Sequence, residues 1–168
     1  MYSKMKIFNM ALAFLNEKAT DENIETLKDF YPIARDKVLK ECHWDFATAY
    51  KKLIYPEVDS VNPKFSYSFK YPDSCLFAIE IIGSKGKKNE FEISTDEKGG
   101  KVINTSECPV ILKYTRLIED EKIYPSDFVN CLAACLAYMS AYAITRNIAV
   151  VNDCIDLYET LLLRLGET

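Results

Sequence analysis

FSYSFKYPDSCLFAIEII, residues 65–82, decides the fold. Phe65, Tyr67, Phe69 and Tyr71 alternate with Ser66, Ser68 and Lys70, a period of two that gives a strand one apolar and one polar face. Pro72, Asp73 and Ser74 turn the chain into LFAIEII, where Phe77, Ile79 and Ile81 fall on one side of a second strand. The same period continues downstream. GSKGKKN (83–89) leads to EFEIS (90–94), DEKGG (96–100) turns into KVIN (101–104), and VILKYTRLI (110–118) aligns Val110, Leu112 and Tyr114. Four to six short strands in an antiparallel meander are expected between about 50 and 118.

Both flanks have a different period. On the N-terminal side, Met5, Phe8, Leu12 and Leu15, widened by Ile7, Ala11 and Phe14, recur at helical spacing. Lys4 and Lys6 ahead of that run imitate a signal peptide, but Asn9 interrupts it, no small-residue cleavage site follows, and the spacing is that of a helix face. Thr20 or Asp21 caps a second helix, whose stripe runs through Ile24, Leu27, Phe30 or Tyr31, Ala34, Val38 and Cys42. Pro32 lies inside it and predicts either a kink or a junction of two helices. On the C-terminal side, YPSDF (124–128) offers Ser126 or Asp127 as cap for FVNCLAACLAYMSAYAIT (128–145), which carries no charge. Its Asn130, Tyr138, Ser140, Tyr142 and Thr145 and its many alanines suit a buried helix better than a membrane span of about 20 apolar residues. Residues 149–165 form a last helix with Val151, Ile155, Tyr158, Leu162 and Leu165 on its apolar side.

Helices, then strands, then helices define an α+β fold: a helical bundle from the N- and C-terminal helices (about 4–46 and 125–165) with an inserted antiparallel β-meander. The 168 residues suit a single domain over 1–168. Hydrophobic residues at 49% and charged residues at 27% match a folded globular chain, and 21 basic against 25 acidic residues give a net charge of −4. That balance lacks the basic field of a nucleic-acid binder. The six cysteines stand singly in apolar surroundings, without disulfide-scaffold spacing.

ECHWDFATAYKKL (41–53) brings together the only histidine, the only tryptophan and a cysteine. Adjacent helical residues point about 100° apart, so Cys42 and His43 do not face each other as nucleophile and base. Trp44 and Phe46 read instead as a packing knot where the second helix gives way to the β region. Cys131 and Cys135, four apart, have no further ligands for a closed metal site, and EDEK (119–122) has the spacing of a solvated face and cap. No dinucleotide, P-loop, serine-hydrolase or zinc-protease motif is present. No catalytic residue, metal or cofactor is expected. Lys85, Lys87 and Lys88 are the one basic concentration, a hairpin tip that can meet an acidic neighbour and forms a candidate subunit or ring interface.

Four segments in order resemble the tail tubular protein A family of short-tailed bacteriophages. YPIARDKVLKECHWDFATAYKKL (31–53) is similar to its second-helix signature, with a tyrosine, an alanine–arginine pair, a leucine and a W-x-F-A box. SYSFKYPDSCLFAIEI (66–81) resembles its aromatic strand and P-x-D-C-like step, although Leu76 and Phe77 stand where the family usually has an arginine. ILKYTRLIED (111–120) and YPSDFVNCLAACLAYMSAYAIT (124–145) resemble its tyrosine strand and F-x-x-x-L-A-x-x-L-A helix. The resemblance implies a structural virion protein of the neck and tail, present in the host cytoplasm during assembly. It implies a dodecameric head-to-tail adaptor ring between the portal protein and the tail nozzle, with DNA passing through unbound and no membrane partner. The alternatives are another connector, such as a head-completion or tail-terminator protein, and a small thiol enzyme using Cys42 or Cys75.

Overall fold

The structure, a computed structural model, describes residues 1–57 and 62–166. Among the described residues, four α-helices and seven antiparallel strands follow the expected order, α1 Lys4–Leu15 and α2 Asp21–Glu41 before the strands, α3 Ser126–Thr145 and α4 Ile148–Gly166 after them. The chain folds into two compact units. The helical unit joins Met1–Phe46 to Ile118–Thr168, and the β unit spans Ala47–Leu117.

In the helical unit, local capping sets the helix ends. Ser3 Oγ accepts from the Lys6 N–H and Thr20 Oγ1 from the Asn23 N–H, each satisfying a donor that a helix start leaves open. Asn16 and Arg146 close α1 and α3 in the left-handed conformation, with φ of 55° and 53°. α2 is one continuous helix through Pro32, not two. Pro32 is exposed, so the carbonyl its ring leaves unpaired lies on the wet side of the helix. The expected cap by Ser126 or Asp127 does not form: α3 begins at Ser126 after Pro125, and no side chain caps it. Proline's fixed φ and missing N–H start that helix instead.

α3 is central and packs against α1, α2 and α4. It is long and apolar enough to cross a membrane by length and composition, with mean hydropathy 1.5, but 61% of that window is buried within the protein. Its run of Ala133, Ala134 and Ala137, all fully buried, lets neighbouring backbones approach closely. The buried Ser140 hydroxyl donates back to the Leu136 carbonyl at 2.7 Å, so its burial leaves no polar atom open.

The β unit comprises β1 Thr48–Leu53, β2 Tyr67–Lys70, β3 Cys75–Ile82, β4 Lys88–Asn89, β5 Phe91–Thr95, β6 Lys101–Thr105 and β7 Val110–Arg116. They form a four-stranded sheet in the order β1-β7-β3-β4 and a three-stranded sheet in the order β2-β6-β5. Leu53, Ala78, Ile81, Val110, Leu112 and Tyr114 from the first share one core with Phe69 and Ile103 from the second. The expected common face of Phe77, Ile79 and Ile81 is broken. Register shifts between Cys75 and Phe77 and between Ala78 and Glu80 reset the alternation, so Cys75, Ala78 and Ile81 point inward and Phe77 is 48% exposed.

Candidate functional site

The segment after α2 folds into an aromatic cluster. Trp44 is 7% exposed and its Nε1–H donates to the Val38 carbonyl at 2.8 Å, taking up one of the acceptors a helix end leaves unpaired. Phe128 at the start of α3 meets Trp44 edge-on, with centroids 5.1 Å apart, and Phe46 at 5.0 Å. Tyr124 closes the set at 4.7 Å from Phe128 and 5.9 Å from Phe46. These edge-to-face contacts align the ring quadrupoles favourably and add to the area buried. Tyr124 donates its hydroxyl to the Ile118 carbonyl, and burial pushes its pKa up to about 12.

A polar fringe ties the returning chain to α2. Arg35, with a side chain only 10% exposed, holds Asp36 at 2.8 Å and Glu119 at 3.2 Å, while Tyr31 donates to Glu121 at 3.0 Å. Of the run EDEK, Asp120 caps a short 3₁₀ turn and Glu119 stays on the solvated face while reaching Arg35, whereas Glu121 is largely covered and accepts from Tyr31. A second network joins α2 to α4, where Glu41 accepts from Tyr158 and pairs with Lys37. Burial first, then the Glu41 carboxylate, drives the Tyr158 pKa far upward.

The thiols have the electrostatics of packing groups. Burial raises Cys42, with the Glu41 carboxylate adding to it, and burial raises Cys75 and Cys154. Cys131 and Cys135 are pushed up to about 11 and about 12 by burial. A nucleophilic cysteine needs the opposite shift. His43 turns to Asp45, 3.2 Å from its Nε2, in an exposed position. Among the described residues no group of three or more His, Cys, Asp and Glu is placed to hold a metal ion.

The lysine hairpin is pinned rather than loose. Between β3 and β4 the chain makes a 3₁₀ turn at Ser84–Gly86, with Lys85 and Gly86 at φ of 60° and 70°. Glu107 reaches over from the segment before β7 and accepts from the Ser84 N–H at 2.8 Å, a bond that holds its carboxyl below the usual range. Lys88 belongs to β4 and pairs with Glu80 at 2.6 Å. The structure therefore separates the three lysines, with Lys85 and Lys87 exposed at the tip and Lys88 engaged on the sheet.

The polar residues of the other sheet are less legible in the sequence. Ser68, Asn104 and Ser94 form a hydrogen-bonded row across β2, β6 and β5, with Asn104 Nδ2 donating to Ser94 Oγ at 2.7 Å. The row borders a cavity of about 210 Å³ lined also by Glu57, Asn62 and Lys98. The alternating serines of FSYSFKY are the only sequence signal for it. No family model matches the chain, and no curated protein matches it.

Proposed function

We propose that this chain is the subunit of a phage head-to-tail adaptor, a non-enzymatic virion protein that assembles as a ring between portal and tail nozzle and leaves an open path for DNA. The observation that carries this reading is where the residues behind the resemblance lie. Tyr31, Ala34, Arg35, Leu39 and Trp44 from one segment, and Phe128, Leu132, Ala133, Leu136 and Ala137 from another some 90 positions away, are all buried in the helical unit. The remaining two segments meet in the β unit, where Ser74 Oγ lies 3.3 Å from the Tyr114 hydroxyl and Cys75 is buried beside them. Ordered motifs that converge in space specify a packed frame, and a frame is what a ring subunit needs.

The electrostatics favour the same reading over the thiol enzyme. Every cysteine with a resolved shift is moved away from the thiolate, and a chain of net charge −4 does not grip the phosphates it surrounds. The test is co-sedimentation of the purified protein with portal-bearing heads, with heads lacking portal and with tail tubes. Binding that depends on the portal is expected. Binding to tail tubes alone would assign the chain to the tail terminators, and binding to none would overturn the adaptor reading.

A further inference from the structure

We propose that copies associate head to tail: the outer face of one copy's four-stranded sheet, around Tyr50, Lys52, Ile111 and Lys113, seats against the exposed stripe of α4 in the next copy, around Ile148, Asp156, Glu159 and Leu163. This names the contact that would build the ring and rests on that reading.

The two units of the chain differ in charge. The helical unit holds 10 basic and 16 acidic residues and the β unit 11 and 9, for net charges of −6 and +2. Within the β unit, the register of β1, β7 and β3 sets out the outer face in rows. Lys52 pairs with Ile111 and Ile82, Tyr50 with Lys113 and Glu80. Tyr50 is 62% exposed and Ile111 40%. Glu80, the one carboxylate in these rows, forms its ion pair with Lys88, with Lys113 beside it in the register also stabilising its charge, and no ion pair among the described residues engages Lys52. An open cleft of about 480 Å³ runs beside the face, lined by Lys52, Tyr67, Ile82 and Ile111 among others.

α4 carries the complement. Ile148, Asn152, Asp156, Glu159 and Leu163 recur at three and four residues, which places them on one line opposite the buried Cys154 and Tyr158. Ile148 is 64% and Leu163 70% exposed, and no ion pair among the described residues engages Asp156 or Glu159. Asp156 and Glu159 stand about 5–6 Å apart by helix geometry, close to the about 7–8 Å of diagonal sheet neighbours such as Lys52 and Lys113. Apolar ends flank an acidic centre on one side, and apolar residues flank two lysines on the other. Unlike patches on one subunit make a heterologous contact, the kind that closes into rings.

The test uses charge reversal on the full chain, followed by sedimentation velocity at low and at physiological salt. One variant carries Lys52→Glu and Lys113→Glu, a second Asp156→Lys and Glu159→Lys, and a third all four changes, each checked for fold by circular dichroism. Wild type is expected to form species beyond the dimer at low salt and to lose them as salt rises. Each double variant should associate about tenfold more weakly or worse, because like charges then face each other. The fourfold variant should regain assembly. Double variants that assemble as wild type does, a fourfold variant no better than the doubles, or a wild type that stays monomeric at low salt would each overturn the contact. Joining to portal-bearing heads, scored on the same preparations, separates the two readings: wild type that joins while the reversals change nothing retains the adaptor and loses this interface.

Discussion

Trp44 shows how much one side chain can hold. Its indole is buried, its N–H is bonded to Val38, and its ring lies edge-on to Phe46 and Phe128. Trp44→Ala should therefore cost about 3–5 kcal/mol in denaturant unfolding, as removal of a buried aromatic does. Trp44→Phe should cost less, because it keeps most of the ring contact and gives up the hydrogen bond. A Trp44→Ala chain as stable as wild type would mean the cluster is not a structural anchor. The cysteines bear on the enzyme alternative at the same scale. Native Cys75, Cys131, Cys135 and Cys154 should react with an alkylating reagent at neutral pH only as fast as the protein opens, because all four are buried. Rapid, stoichiometric labelling of Cys42 or Cys75 in the native state would revive a nucleophilic role.

At the scale of elements, the lysine hairpin and the helical unit each make a prediction. A Cβ added at Gly83 would push aside the ends of the Asn89 and Glu107 side chains and break the Glu107–Ser84 hydrogen bond, so Gly83→Ala should destabilise the β unit by about 0.5–1.5 kcal/mol, the worth of one such bond. Thermal unfolding measures it. The helical unit should weaken in alkali. Cys131, Cys135, Tyr31, Tyr124 and Tyr158 all have folded pKa values above their ordinary ones, near 9 for the thiols and 10 for the phenols. The folded state thus keeps protons that the unfolded chain gives up. The contribution of Cys131, Cys135 and Tyr124 is whole below pH 9 and is lost as pH rises through about 11 to 12, so helicity should hold from pH 7 to 9 and fall above. Unchanged stability from pH 9 to 12 would contradict the burial of these groups.

The elements also show what the sequence makes legible. α1, α3, α4 and the inward row of β7 follow directly from apolar period. The shifts in β3 do not, since a bulge reverses the alternation without any residue that announces it. β1 escapes the pattern because Tyr50, Lys51 and Lys52 are all exposed and only Leu53 is buried, so it lacks the alternation of a half-buried strand. The aromatic cluster is half legible. Trp44 and Phe46 stand out in their segment, but their partners Tyr124 and Phe128 lie some 80 residues on and are joined to them only by tertiary packing. Glu107 as the clamp on Ser84 has no sequence signal at all.

At the scale of the molecule, the hairpin tip and the adaptor reading can be tried together. Lys85→Glu with Lys87→Glu should leave the β unit folded, since both side chains are exposed, yet slow the joining of chain to portal-bearing heads and make it more salt-dependent. Adding Lys88→Glu should also loosen the end of β3, because it sets a second carboxylate against Glu80. Equal joining rates at low salt for wild type and the tip variant would return the hairpin to a solvated turn. The most direct measurement is electron microscopy of portal-bearing heads incubated with the purified chain. A closed ring seated on the portal vertex, coaxial with it and open at its centre, is the expected result; portal vertices left bare, or copies scattered over the head surface, would contradict the adaptor function.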